Sequence, residues 1–246
     1  MTKEEIKNMC FEEKIALINE GDDEALDVLV NDKDSYIRAM VAEWGRTNCL
    51  NILVHDDDEY VRLKVAEHHR DKDLDILVHD EDSFVRAEVA RYGREKDLDI
   101  LVHDEELSVR SIVARVIYSY QDIYLDILSN DKCWQVRRII AEHGRDKDLD
   151  ILVNDFSVDV RLSVASCGRD KDLDILVYDP DMRVRQYIAQ IGRDKDLDIL
   201  VHDPDCAIRY MVATNGRDKD LDILVNDPND DVRRLATIKK NLKIAK

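Results

Sequence analysis

Two kinds of side chain recur in this sequence at spacings that could do chemistry. An Asp and an Arg stand six residues apart again and again, as in Asp32/Arg38, Asp80/Arg86, Asp155/Arg161 and Asp203/Arg209. A row of arginines could hold phosphate. An Asp at a helix start and an Arg one and a half turns later can instead meet each other and the adjoining layer through charge-assisted hydrogen bonds. Four of the seven histidines, His55, His79, His103 and His202, also fall at one recurring place. Packed helices lie about 8 to 10 Å apart, too far for such a row to close around one metal ion. Hydrogen bonding at helix ends is the expected role. The five cysteines (Cys10, Cys49, Cys133, Cys167, Cys206) are odd in number and contain no C-x-x-C pair. Neither a disulfide framework nor a zinc or iron-sulfur ligand set is expected from them. No G-x-S-x-G, P-loop or Cys/His nucleophile arrangement is present. The expectation is a protein that is not an enzyme and carries no cofactor.

The elements that must position these side chains follow from composition and periodicity. Among 246 residues there are 37 Lys+Arg and 55 Asp+Glu, a formal charge of −18. Long-range repulsion disfavours nucleic acid and anionic membrane as partners. Seven Gly and three Pro are too few for a turn-rich β-sandwich, and 44 % hydrophobic residues suffice for a core. The start, MTKEEIKNMC, has no apolar signal core, and no apolar run approaches the ~18 residues of a membrane span. A cytoplasmic protein is the expectation.

Internal similarity decides the fold class. The string LDILVHD, followed by a V-R pair, returns every 24 residues in nine copies that begin at Leu26, Leu50, Leu74, Leu98, Leu125, Leu149, Leu173, Leu197 and Leu221. Counting from each of these leucines, the scaffold is Leu at 1 and 4, usually Val at 5, Asp at 7, Val or Ile at 12, Arg at 13 and usually Val or Ile at 16. Six of the seven glycines fall at position 20 and all three prolines at position 8. Positions 1 to 6 predict a short α or 3₁₀ segment, with the R-D-K-D run before it, for example Asp71 and Asp73, supplying the N-cap. A second helix opens after position 7 or 9, aligns positions 12 and 16 on one face, and stops at the glycine. One such pair cannot bury its apolar face alone, so neighbours must stack. The prediction is an all-α solenoid of nine 24-residue two-helix repeats.

Strings such as LDILVYDPDMRVRQYIAQIGR and LDILVNDPNDDVRRLATIKK resemble the leucine-rich-repeat variant, a 24-residue helical repeat with a D-P-D-x-x-V-R centre, and more broadly the HEAT-like repeats. The resemblance covers residues 26 to about 240. It implies an all-helical right-handed superhelix used mostly for binding other proteins. Three features depart from it: His69, Ile117 and Lys240 replace the glycine at position 20, Pro occurs at position 8 only in the last three copies, and the cysteine cluster that holds an iron-sulfur centre in some relatives has no counterpart. Glu67-His68 and Glu142-His143 invite comparison with the His-Glu pairs of HEAT-repeat di-iron hydroxylases. Here the order is reversed and the pairs sit three repeats apart, so a metal-dependent enzyme ranks last. A base-processing HEAT-like enzyme would want a basic groove, whereas Lys64, Arg91, Arg115 and Arg138 interleave with Glu43, Glu67, Glu88 and Glu142.

Residues 1–25 do not fit the repeat and are expected to form an N-terminal helical cap, with Thr2 and Glu5 as a capping box and a second helix ending at Gly21. Residues 26–246 form the solenoid, its last repeat, 221–246, closing the C-terminal end. That end, RRLATIKKNLKIAK, carries six basic and no acidic side chains, whereas residues 1–25 are acidic. The basic residues either complement the closing helix dipole or support weak head-to-tail association. The fourth copy runs 27 residues and replaces R-D-K-D with a stretch containing Tyr118, Tyr120 and Tyr124. These tyrosines serve either a partner or the interior, and a change of superhelical pitch is expected there.

Positions that vary between copies are available for recognition. On the second helix, positions 11, 15 and 19 form one stripe. It holds Tyr36, Met40 and Trp44 in the first copy, Tyr60 and His68 in the second, and Phe84 and Tyr92 in the third. Ile112, Ile139, His143, Tyr187 and Met211 continue it. Aromatic and Met residues on an otherwise charged chain are the composition of an interface centre. Packing against the adjoining layer is the competing account, and position 10 (Leu107, Trp134, Val158, Met182, Cys206) is a second ridge with the same two readings. The expectation is a protein-binding scaffold for a segment with basic residues beside apolar anchors. An acidic nucleic-acid mimic that inhibits a basic nucleic-acid-binding protein is the alternative.

Overall fold

The repeat folds as two helices per copy. The structure is a computed structural model that describes residues 1–117 and 122–244. Among these residues there are twenty α-helices and no strand. The chain falls into two compact units, Met1–Tyr124 and Leu125–Lys246, divided beside the insertion in the fourth copy. Tyr118 and Tyr120 lie outside the described residues.

The first helix of a copy is a seven-residue α-helix that begins three residues ahead of the repeat leucine, as in Asp71–Leu77 and Asp170–Leu176. This corrects the expected cap. The N-cap is the Arg of R-D-K-D, for example Arg70, and its side chain makes no cap hydrogen bond. Asp73 sits inside the first turn, buried, and its carboxylate accepts from Arg70 Nε at 2.5 Å. An acidic side chain gains there from the positive helix end. The second helix opens after position 9, not 7: Ser83–Tyr92 follows Asp82, whose carboxylate accepts from the N–H groups of Phe84 and Val85. Position 7 has another task.

Leu at 1 and 4, Val at 5 and the aliphatic residues at 12 and 16 are buried, as in Leu74, Leu77, Val78, Val85 and Val89. Each contributes about 1.5–3 kcal/mol by leaving water. Position 17 belongs to the same core: Ala42, Ala66, Ala90, Ala165, Ala189 and Ala213 are fully buried. A methyl group there lets successive second helices, such as Ser35–Trp44 and Glu59–Ala66, pack closely side by side.

Two ionic ladders hold the copies in register. In the first, Arg at 13 reaches forward to Asp at 7 of the next copy: Arg86 Nε and Nη2 donate to Asp104 Oδ2 and Oδ1 at 2.7 and 2.9 Å, while Nη1 donates to its own copy's Asp80 carbonyl at 2.8 Å. The same carboxylate accepts the N–H of the N-cap residue, Glu106, at 2.9 Å. Equivalent rungs join Arg38 to Asp56, Arg62 to Asp80, Arg137 to Asp155, Arg161 to Asp179, Arg185 to Asp203 and Arg209 to Asp227. The N-terminal segment takes part as well. Lys14 stands 18 residues before Asp32, as each rung Arg does before its Asp, and its Nζ donates to Asp32 Oδ2 at 2.7 Å in a buried pair.

The second ladder explains R-D-K-D. Arg169 grips Asp172 of its own turn at 2.6 Å and reaches back to the carbonyl of Asp146 at 2.9 Å and to Asp150 Oδ1 at 2.8 Å, and Lys171 meets Asp150 at 2.5 Å. The fourth copy, whose successor lacks R-D-K-D, is served by Tyr124 instead. Its ring is buried, and its hydroxyl donates to Asp99 Oδ1 at 2.5 Å and to the Glu95 carbonyl at 3.2 Å. Burial, reinforced by Asp99, pushes the phenol pKa up. Of the three tyrosines near the insertion, this one is an internal strut.

The three departures at position 20 have three outcomes. His69 adopts a positive φ of 54° despite its side chain, Ile117 ends its helix at φ −75°, and the last second helix, Asp230–Ile244, runs straight through Lys240.

Two predictions follow from the first ladder. Arg86→Ala leaves the Asp104 carboxylate buried without its guanidinium and should lower stability by about 3 kcal/mol, measured as a fall in the urea midpoint of the far-UV circular dichroism signal. Burial opposes ionisation of Asp104, Asp155 and Asp227, but their arginine and backbone hydrogen bonds outweigh it and hold these carboxyls below the usual range. A carboxyl depressed in the folded state stabilises fully above its unfolded pKa and loses that stabilisation as pH falls through the folded one. The melting temperature should therefore hold from pH 7 to about 5 and drop below about pH 4; an unchanged melting temperature at pH 3 would contradict the ladder's role.

Candidate functional site

In the unit Met1–Tyr124 the second helices Ser35–Trp44, Glu59–Ala66 and Ser83–Tyr92 lie side by side, which sets position 11 of successive copies in a row. Tyr36, Tyr60 and Phe84 occupy it and all three are exposed, Phe84 to 71 %. Tyr36 meets the ring of Phe11 at 5.8 Å between centroids. Lys64 holds its ammonium 5.4 Å above the Tyr60 ring and 3.0 Å from Glu67. Burial opposes the charge on Lys64, but Glu67 outweighs it and raises the pKa. Glu43 and Glu59 on these helices and Glu67 at the end of one are exposed, against the exposed cation Arg91, so the aromatic row has a mostly acidic border.

Position 15 lies deeper. Met40, Ile112, Tyr187 and Met211 are half-buried, and Met211 helps line a groove of about 570 Å³ with Tyr210, Leu235 and Ile238. Ile139 is only 6 % exposed and is corrected from a binding residue to a core one. Its helix, Trp134–His143, packs tightly against Val158–Cys167, and the aliphatic side chain is removed from water.

Position 19 has a structural task that the sequence did not disclose. Several of these side chains fold back over the end of the preceding second helix. His68 Nε2 donates to the Ala42 carbonyl at 2.7 Å, Cys167 Sγ to the Ala141 carbonyl at 3.2 Å, and Asn215 Nδ2 to the Ala189 carbonyl at 3.0 Å. The Trp44 ring lies over Gly21, and Tyr92 stacks on His69 with centroids 4.5 Å apart. Trp44 and Tyr92 still expose about half of their surface, whereas His68 and His143 are half-buried. Positions 11 and 19 are therefore not equivalent: the first is display, the second is display built on a helix cap. The position-10 ridge is mostly surface, with Trp134 exposed beneath the Arg138 guanidinium at 6.0 Å.

The histidine row behaves differently from the expectation. His55, His79, His103 and His202 are exposed and make no side-chain hydrogen bond to a helix end among the described residues. Backbone N–H groups already occupy those carbonyls, as when His79 and Asp80 donate to Ile76 and Leu77. Among the described residues no group of three His, Cys, Asp or Glu side chains is placed to hold a metal ion, and no helix is long and apolar enough to cross a membrane.

The capping role of position 19 gives a paired test. A Cβ on Gly45, at φ 84°, would stand 2.5 Å from His68 Cε1, whereas one on Gly168, at φ 72°, would meet nothing within 4 Å. Gly168→Ala should cost about 1 kcal/mol of backbone strain and Gly45→Ala about 2–3 kcal/mol, compared by urea denaturation.

One solved structure agrees with this geometry. A structure described as a leucine-rich repeat variant with a novel repetitive structural motif is 27 % identical, covers 86 % of this chain and 85 % of its own, and superposes with a TM-score of 0.69. Designed armadillo repeat proteins for modular peptide recognition are 14 % identical over 93 % of this chain and 98 % of theirs, with a TM-score of only 0.20. No protein-family model and no curated protein matches the chain. Its helical repeat architecture is that of the leucine-rich repeat variant.

Proposed function

We propose that the chain is a binding scaffold that captures a protein or peptide segment through the second-helix face of its first three copies. The observation that carries this reading is the row Tyr36, Tyr60 and Phe84, exposed on adjacent helices and continued by the half-exposed rings of Trp44 and Tyr92. The core does not require these rings: other copies fold with Ser108, Asp159 or Ala207 at position 11. Exposed aromatic side chains bordered by polar groups are the composition of an interaction hot spot. The acidic border, on a chain of net charge −18, selects a segment with basic residues beside its apolar anchors.

The basic C-terminal helix supports closure over head-to-tail association. Lys240 pairs with Asp222 at 2.6 Å, Arg233 pairs with Asp230 of its own helix, and Lys239 donates to the Thr214 carbonyl at 3.1 Å.

Panning a displayed random-peptide library against the protein tests the proposal. Sequences with aromatic or aliphatic anchors next to Lys or Arg should be enriched, and Tyr60→Ala with Phe84→Ala should weaken the selected peptides at least tenfold, about 1.4 kcal/mol or more, with far-UV circular dichroism unchanged. Binding that falls steeply with salt yet ignores the two substitutions would instead mark an acidic phosphate mimic.

A further inference from the structure

In a repeat this regular, copy-specific departures at exposed positions stand out, and two of them converge. Position 8 is charged in the first five copies (Lys33, Asp57, Glu81, Glu105, Lys132) and Pro in the last three, but in the sixth it is Phe156. Position 6 is Asn or His in every copy except the seventh, where it is Tyr178. Phe156 is fully exposed and Tyr178 is 68 % exposed, so neither ring contributes to the core. Both line one cleft of about 580 Å³ at the loop edge between copies six and seven, together with Ile175 and Pro180. The corresponding cleft between copies one and two measures about 330 Å³ and is lined by Asn31, His55 and Asp57. The groove is a by-product of stacking; its aromatic lining is specific to this pair of copies.

We propose that this cleft is a binding subsite for a cationic peptide side chain, an Arg or Lys that stacks against Phe156 and Tyr178. The chemistry of the walls selects the occupant. Arg161, the basic residue lining the cleft, is locked by Asp179 at 2.6 and 2.8 Å and by the Asp155 carbonyl at 2.7 Å, which leaves no cation for an anionic ligand. The two copies around it, residues 149–196, carry ten acidic and seven basic side chains. A guanidinium or ammonium over an aromatic face is attracted by the ring quadrupole, and an acidic surround adds to that attraction. The subsite lies on the loop edge and not on the second-helix face, and it does not depend on the aromatic row of the first three copies.

The test uses fluorescence anisotropy of the full-length protein with two labelled octapeptides, one alternating Gly and Arg and one alternating Gly and citrulline, at about 0.15 M salt to screen non-specific attraction. The variant Phe156→Pro with Tyr178→Asn installs residues that this chain itself carries at the same positions in other copies, keeps the net charge, and should retain its helical circular dichroism. The Arg peptide should bind the double variant about tenfold more weakly than the unaltered protein, each single change giving part of that loss. The citrulline peptide should bind both weakly. Tyr60→Ala with Phe84→Ala should leave Arg-peptide binding unchanged, which separates this subsite from the second-helix surface. Equal binding of the Arg peptide to the unaltered protein and the Phe156/Tyr178 variant, or equal binding of the Arg and citrulline peptides, overturns the proposal.

Discussion

The structure depends on one buried ion pair repeated from copy to copy. The Arg at position 13 bridges its own copy's carbonyl at position 7 and the next copy's carboxylate at position 7, as Arg161 does between the Asp155 carbonyl and Asp179. Such a pair is weak evidence for net stability, because desolvating two charges offsets much of their attraction. Its value lies in register. Aliphatic side chains would tolerate a sliding of one layer over the next, whereas a bidentate guanidinium with a third bond to a fixed carbonyl is satisfied in one alignment. The leucines and valines supply the drive to stack, and the rungs determine how the layers align.

The second ladder has the same logic at the other end of the copy. R-D-K-D looks like a solvated charge run, yet half of it is buried: Asp73, Asp97, Asp148, Asp172, Asp196 and Asp220 are almost completely removed from water. Each is matched by an Arg three residues before it, and that Arg also holds the preceding copy. Before Leu125, where the Arg itself is lost, a buried tyrosine reaches the same Asp and carbonyl positions, which shows that the inter-copy link and not the charge is what the fold requires.

Because backbone geometry and register are secured by these inner groups, positions 8 and 11 are left unconstrained by folding. Position 11 accepts Tyr, Phe, Ser, Gln, Asp, Arg and Ala in different copies, and position 8 accepts Lys, Asp, Glu, Phe and Pro. Aromatic rings gathered at such positions are difficult to explain by packing, and both proposed binding surfaces rest on that contrast. Position 19 shows the opposite case. Its residues vary as widely, yet His68, Cys167 and Asn215 bond to the end of the preceding second helix, so variability alone does not mark a free surface.

The period of 24 residues, the apolar positions at helical spacing and the glycine stops by themselves determined that the chain is a stack of helical pairs, since no other arrangement buries leucines placed in that pattern. The pairing of Asp with Arg was legible too, though its partner copy was not: a rung within one copy and a rung between copies look the same along the chain. Tertiary structure alone decided that Ile139 is core, that His68 caps Ala42, that Tyr124 is a strut and that Phe156 and Tyr178 share a cleft. Each of these depends on which side of a helix faces the neighbouring layer, and that orientation is fixed by contacts 18 to 29 residues away, beyond the reach of local periodicity.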